Sequence, residues 1–300
     1  MNFILIALCL ISGLVLRSSG ILPENSHKGI NAWILYIALP AVALFYIPTI
    51  PWSGALILPV AMPWLVWGGA WVMLRLFAHR FALDKGTHAA LLITAGLGNT
   101  SFIGFPLTQA YFGDEGLRIA VICDQISIIT LSTLGVMTAL NASHSANSGI
   151  RAMVGSVIRF PSFIAFIAAL ILPRFTNFEL LNPLLTKLAS TLVPLALFSV
   201  GLQIRFSEWR RELPALSLGL AYKLLIAPGL VLCAALAFQL KGIIGQASVF
   251  EAAMAPMITS AILAAEYQLN PRLSNLMVSV GIILSIATTG LWFLILRIIL

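Results

Sequence analysis

Two stretches of this 300-residue chain concentrate helix-breaking residues together with residues that bind polar groups. The first carries Gly96, Gly98, Asn99, Thr100, Ser101, Gly104 and Pro106 within eleven positions. The second carries Glu251, Ala255, Pro256, Thr259 and Ser260. Both sit inside otherwise apolar sequence. Gly weakens a helix, and Pro lacks a backbone donor and clashes with the preceding turn. Backbone freed in apolar surroundings must be paired within the protein or line a cavity. A helix interrupted there presents an N-terminal end with free N–H groups and partial positive charge, which favours an anion. The chemistry in view is reversible binding of an anion by backbone and side-chain donors. The same Gly and Pro residues also serve close helix packing or a simple kink.

Ionisable residues inside apolar runs are the second signal. Asp124 lies beside Gln125 in one run, and Lys223 lies in another. A central charge in a bilayer costs roughly 2.5–3.5 kcal/mol on the lower scales and usually marks an ion or substrate path. Burial also favours a neutral carboxyl, which makes Asp124 a candidate for proton coupling. Two plainer readings stand beside these: Asp124 and Lys223 pair with each other, or Lys223 snorkels to an interface. Glu251, near the start of its run, reads as interfacial. His27, His79, His88 and His144 fall in or beside loops without metal-ligand spacing, so neither a metal nor a cofactor is expected. HExxH, nucleophile-elbow and P-loop patterns are missing, which argues against an enzyme and against ATP hydrolysis by this chain.

These residues need elements that hold them in lipid. Hydrophobic residues make up 60% of the chain and charged residues 9%, against about 25% charged in a soluble domain. That balance cannot cover a water-facing surface. Ten apolar runs fall at roughly 3–20, 30–48, 53–76, 88–110, 115–139, 153–173, 181–203, 213–239, 246–267 and 272–297, most near the ~20 residues that cross a bilayer. The first has no basic residues ahead of it and reads as a span, not a signal peptide. Cys9, Cys123 and Cys233 lie within such runs and read as packing residues.

The net charge of +7 sits mostly in short loops, with no nucleic-acid motif. Eleven Lys and Arg residues, among them Arg75, Lys85, Arg210 and Arg272, fall on one side, against five on the other, among them Arg118 and Lys241. The richer side is predicted to be cytoplasmic, with both termini outside. The most polar stretch, NASHSANSG at 141–149, lies at the midpoint. It divides the chain into a five-span half at 1–140, a cytoplasmic linker at 141–150 and a second half at 151–300. An odd number of spans per half inverts the second copy in the membrane. Weak internal similarity agrees: Pro40 and Pro194 lie in related segments 154 residues apart, and Tyr111 and Tyr267 in related segments 156 apart.

The chain resembles the auxin efflux carrier family, which includes plant PIN-type carriers and bacterial permeases linked to malate and malonate. The resemblance rests on Asn31, Tyr36 and Leu39-Pro40 in the second span and on Asn99-Thr100-Ser101-Phe102-Ile103-Gly104-Phe105-Pro106 in the fourth. It continues through Asp124-Gln125, Lys223 with Pro228, Glu251-Ala252-Ala253-Met254, Glu266-Tyr267 and Asn270-Pro271, and so covers essentially the whole chain. It implies a scaffold of spans 1, 2, 6 and 7 and a transport unit of spans 3–5 and 8–10. Broken spans four and nine cross at the site, Asn99 contacts substrate, and Pro106 forms part of the span-four break. Many members place Pro directly after the Ala-Ala-Met/Leu run, whereas here Ala255 holds that position and Pro256 follows. The resemblance also points to a homodimer.

The expected protein is thus an all-α integral membrane protein of ten transmembrane helices, arranged as two inverted five-helix repeats in the cytoplasmic membrane. Its expected substrate is a small organic anion such as malate, malonate or an auxin-like acid. Asn99, Thr100, Ser101, Pro106, Ala255, Pro256, Thr259, Ser260 and Lys223 are the expected substrate contacts, with Asp124 and Gln125 for proton coupling or an ion pair. Three rivals stay open. A sodium- or proton-coupled carrier of bile-acid or exchanger type shares the architecture but needs a carboxylate cluster at the crossing. An integral-membrane enzyme and a channel are the others.

Overall fold

The computed structural model describes residues 2–77, 83–143, 160–174, 178–204 and 209–300. Of the expected linker at 141–150, residues 144–150 lie outside these residues, while Asn141 and Ala142 are helical. Among the described residues the chain is helical, and its sole β-type feature is an isolated antiparallel bridge between Gly98 and Pro256.

The helical segments in chain order are α1 (Asn2–Ser18), α2 (Ser26–Thr49), α3 (Gly54–Phe77), α4 (Lys85–Ala95), α5 (Thr100–Ala142), α6 (Pro161–Ile171), α7 (Asn182–Gln203), α8 (Leu213–Ala237), α9 (Gly242–Ala252), α10 (Ile258–Glu266) and α11 (Pro271–Ile299). Of these, α2, α3, α5, α7, α8 and α11 are long and apolar enough to cross a bilayer. Large apolar side chains such as Ile4, Trp64, Leu76, Leu294 and Ile298 are exposed, as a lipid-facing surface requires.

Two expected spans run together in α5. It is continuous except at Gly113, whose φ of 67° and ψ of −161° turn the chain sharply. A positive φ of this kind is open to glycine at little cost. The turn separates a first limb, residues 100–112, from a second, residues 114–142.

Proline is tolerated by local widening. A π-helical turn at Ile34–Ala38 precedes Pro40, one at Thr100–Gly104 precedes Pro106, and one at Tyr222–Ile226 precedes Pro228. Each widening relieves the clash of the proline ring with the carbonyl four residues earlier. At Pro228 that carbonyl belongs to Leu224, and the Trp292 indole N–H donates to it at 2.9 Å. Pro106 therefore lies within a helix and not in the break where the resemblance placed it.

Packing sorts the segments. Helices α1, α2, α6 and α7 pack on one another, with α1 crossing α7 where Gly13 meets Gly201. Segments α3, α8, α9 and α11 pack with one another, and α9 and α3 also pack on α5. The first limb of α5 meets α7 and joins the two groups. On the far side, Asp84 caps α4 by accepting from the Thr87 N–H at 2.9 Å, and Asn270 donates to Thr87 Oγ1 at 3.0 Å and to Glu212 at 3.2 Å. These bonds tie together the starts of α4, α8 and α11.

Candidate functional site

The break between α4 and α5 meets the break between α9 and α10 at the centre of the second group. The Asn99 N–H donates to the Ala255 carbonyl at 2.7 Å, and the Met257 N–H donates to the Leu97 carbonyl at 3.1 Å. Each break thus supplies partners that the other lacks, where unpaired backbone would cost several kcal/mol per group. Pro256 has no N–H to offer, and it stands opposite Gly98 between the two bonded pairs.

Asn99 is 2% exposed. Its Oδ1 caps the first limb of α5 by accepting from the Phe102 N–H at 3.2 Å. That bond fixes the amide orientation and leaves Nδ2 buried with no partner. The neighbouring Thr100 hydroxyl donates to Asp124 Oδ1 at 2.6 Å, while Asp124 Oδ2 has no partner. Lys223, fully buried in the π-turn of α8, donates from Nζ to the Ala252 carbonyl at 2.6 Å. Asp124 and Lys223 are therefore not each other's hydrogen-bond partner, and Lys223 does not reach an interface.

Glu251 occupies a different place from the interfacial one expected. It is fully buried at the end of α9, and Thr108 of the first limb donates to its Oε1 at 2.6 Å. Its Oε2 has no partner. Gly104 packs directly against this carboxyl: a methyl group there would collide with Oε2 and lie 2.9 Å from Oε1. Gly98, Thr100, Lys223 and Glu251 share the wall of a cavity of about 10 Å³, room for about one water molecule.

The remaining expected contacts divide. Ala255 and Pro256 form the crossing itself. Ser101 is buried within the first limb. Ser260 is buried and donates to the Met257 carbonyl at 2.6 Å at the start of α10, whereas Thr259 is exposed. Gln125 turns from the crossing as well, donating to Ser162 of α6 at 3.0 Å. Adjacent helical residues point about 100° apart, so Asp124 and Gln125 serve different neighbours.

Pro106 instead lines a cleft of about 420 Å³ between the two packed groups. Ile6, Tyr46 and Pro194 line one wall, and Pro106, Gln109 and Asp114 the other. Tyr46 and Gln109 both donate to Asp114 Oδ1, at 3.2 and 2.9 Å. Sequence reasoning missed these polar residues because they lie near predicted loop ends, where polar residues are ordinary. A larger recess of about 960 Å³ at the α4 start holds the carboxylates Asp84 and Glu266 beside Lys85, a poor setting for an anion. Among the described residues no group of three or more His, Cys, Asp or Glu converges as a metal site would need.

A helical chain with several bilayer-length apolar segments and a polar crossing sealed in its interior has the form of a multi-pass membrane transporter. The chain belongs to the membrane transport protein family, which it matches over residues 2–153 and 156–293. It is similar to an uncharacterized transporter of Methanothermobacter thermautotrophicus, 27% identical over 292 residues, covering 95% of this chain and 94% of that one. It is also similar to an uncharacterized transporter of Methanocaldococcus jannaschii, 25% identical over 303 residues, covering 97% of each.

Proposed function

We propose that this chain is a secondary carrier of small organic anions, with malate, malonate and auxin-like acids as the substrate class. The observation that carries the reading is the buried Nδ2 of Asn99, a donor without an acceptor. Such a group costs about 1–3 kcal/mol, and a substrate carboxylate oxygen would satisfy it. The first N–H groups of the α5 limb, apart from that of Phe102, lack intrahelical partners and would add to the grip. Lys223 and the helix ends would balance the charge.

In this reading α4 with the first limb of α5 is one interrupted span and α9 with α10 is another. The chain then has ten spans in two inverted halves. Helices α1, α2, α6 and α7 form the scaffold, and the remaining segments form the transport unit. The packing of the two groups supports that division. The 420 Å³ cleft between them lies within the usual ~300–1,000 Å³ range of small-molecule sites. It would admit substrate from the outer face, where both termini lie, toward Asn99. The protein would sit in the cytoplasmic membrane, as a homodimer if it follows the carriers it resembles.

The test is uptake of labelled malate, malonate and an aromatic carboxylate by liposomes holding the purified protein. Saturable uptake that Asn99→Ala cuts by about tenfold or more, the value of a lost bond to a charged acceptor, in a variant that remains folded, supports the reading. A variant that transports like the parent places the site elsewhere. A second reading, an ion-coupled carrier of bile-acid or exchanger type, is favoured by one observation: Asp124 and Glu251 both reach the crossing. Uptake that requires sodium would support it.

A further inference from the structure

We infer that Glu251 is the proton-binding residue of the crossing, holding one proton while the crossing is closed and releasing it on the side where the anion leaves. This rests on the carrier reading and deepens it. The carboxyl is fully buried, receives one hydrogen bond, from Thr108, and keeps Oε2 without a partner. The space it fills exists because residue 104 is a glycine. Lys223 places one of its three donors on the Ala252 carbonyl, one residue further along the chain, and makes no hydrogen bond to the Glu251 carboxyl. An ionised carboxylate so placed lacks the compensation that a buried charge requires. A neutral acid has one O–H to donate and one oxygen to accept with, which suits a site with one donor and a cavity of water size beside it.

The groups facing Glu251 define what its proton answers to. Lys223 approaches from α8, and Asp124 and Cys123 from α5. From α3, Met62, Pro63 and Val66 close the shared cavity, and α11 carries its basic residues at its ends, Arg272 and Arg297. Substrate negative charge at Asn99 would therefore be repelled by two acidic side chains and attracted by one lysine. Protonating Glu251 removes one repulsion. Because coupling between two binding events is reciprocal, an anion that is held better when Glu251 is protonated must itself promote that protonation. The step transfers one proton from solvent to Glu251 and makes or breaks no other covalent bond.

The test has two arms on the full-length protein. Infrared spectra of the purified protein at neutral pH should contain a carboxylic-acid carbonyl band that Glu251→Gln removes and Asp124→Asn retains. Thr108→Val, which deletes the bond to Oε1 but keeps the acid, should shift that band. In liposomes clamped at zero membrane potential, an inward gradient of one pH unit should drive about tenfold malonate accumulation, the value for one proton per anion. Glu251→Gln should exchange malonate but no longer accumulate it. A spectrum unchanged by Glu251→Gln, or gradient-driven accumulation that survives the substitution, overturns the inference. If the parent moves no malonate, the carrier reading fails for this acid, and the infrared arm still decides the proton site.

Discussion

The two breaks are partners in backbone bonding and opposites in side-chain chemistry. The α4–α5 break carries Gly98 and Asn99, with Thr100 and Ser101 opening α5 directly after it, and leaves a buried amide donor open. The α9–α10 break runs Ala253, Met254, Ala255, Pro256 and Met257 and has no polar side chain. It contributes carbonyl oxygens, from Ala255 to Asn99 and, just before the break, from Ala252 to Lys223. Its acid, Glu251, is the penultimate residue of α9, just before the break. Pairing of backbone is therefore what the crossing demands of both breaks, and an open side-chain donor is found at one of them.

The contrast predicts unequal sensitivity. The largest effect is expected from Asn99→Ala, which on the proposed reading removes a bond to a charged acceptor worth about 1.5–3 kcal/mol. Uptake should fall roughly ten- to a hundredfold, while Ala255→Ser stays within a few-fold of the parent, both read as initial rates in liposomes. Equal losses at the two positions would erase the contrast. Next comes Gly104→Ala. Its methyl group collides with the Glu251 carboxyl, and overpacking of this kind costs typically about 1–3 kcal/mol. A clear drop in thermal midpoint in detergent should follow, and it should shrink when Glu251→Ala is added.

The smallest effect concerns the far end of the first interrupted helix. Asp84 accepts from the Thr87 N–H and hydroxyl, which holds its carboxyl below the usual range. The cap therefore adds stability above the ordinary aspartate range and loses it as pH falls through the folded value. Because Asp84 is exposed, Asp84→Ala should cost about 1 kcal/mol or less. Thermal midpoints measured from neutral to acidic pH should converge for parent and variant at the acidic end.

Sequence alone located both breaks, since Gly and Pro inside apolar runs have few structural uses there. It located Asn99 and Lys223 because polar residues in lipid stand out. Glu251 was misjudged for a physical reason. Distance along a span gives membrane depth only when the helix is continuous. Here α9 ends at Ala252, so a residue near its C-terminus lies at the crossing. Thr259 and Ser260, like Asp124 and Gln125, show that type and neighbourhood do not fix direction. One residue of helical rotation sends a hydroxyl to the interior or to the surface. Pro106 was read as a break because a proline interrupts an ideal helix, but a π-turn before it absorbs the clash.

The bond from Asn99 to Ala255 spans 156 residues of chain, the difference of the two residue numbers. At synthesis rates of about 5–20 residues per second, the first break exists for roughly 8–30 s before its partner is made. Through that interval the growing chain holds an open backbone donor and acceptor at the depth where lipid offers neither. Whatever shelters them, the inserting machinery or trapped water, is needed during biogenesis and is displaced when the last helices arrive. The crossing is thus completed late, although half of it is made within the first 100 residues.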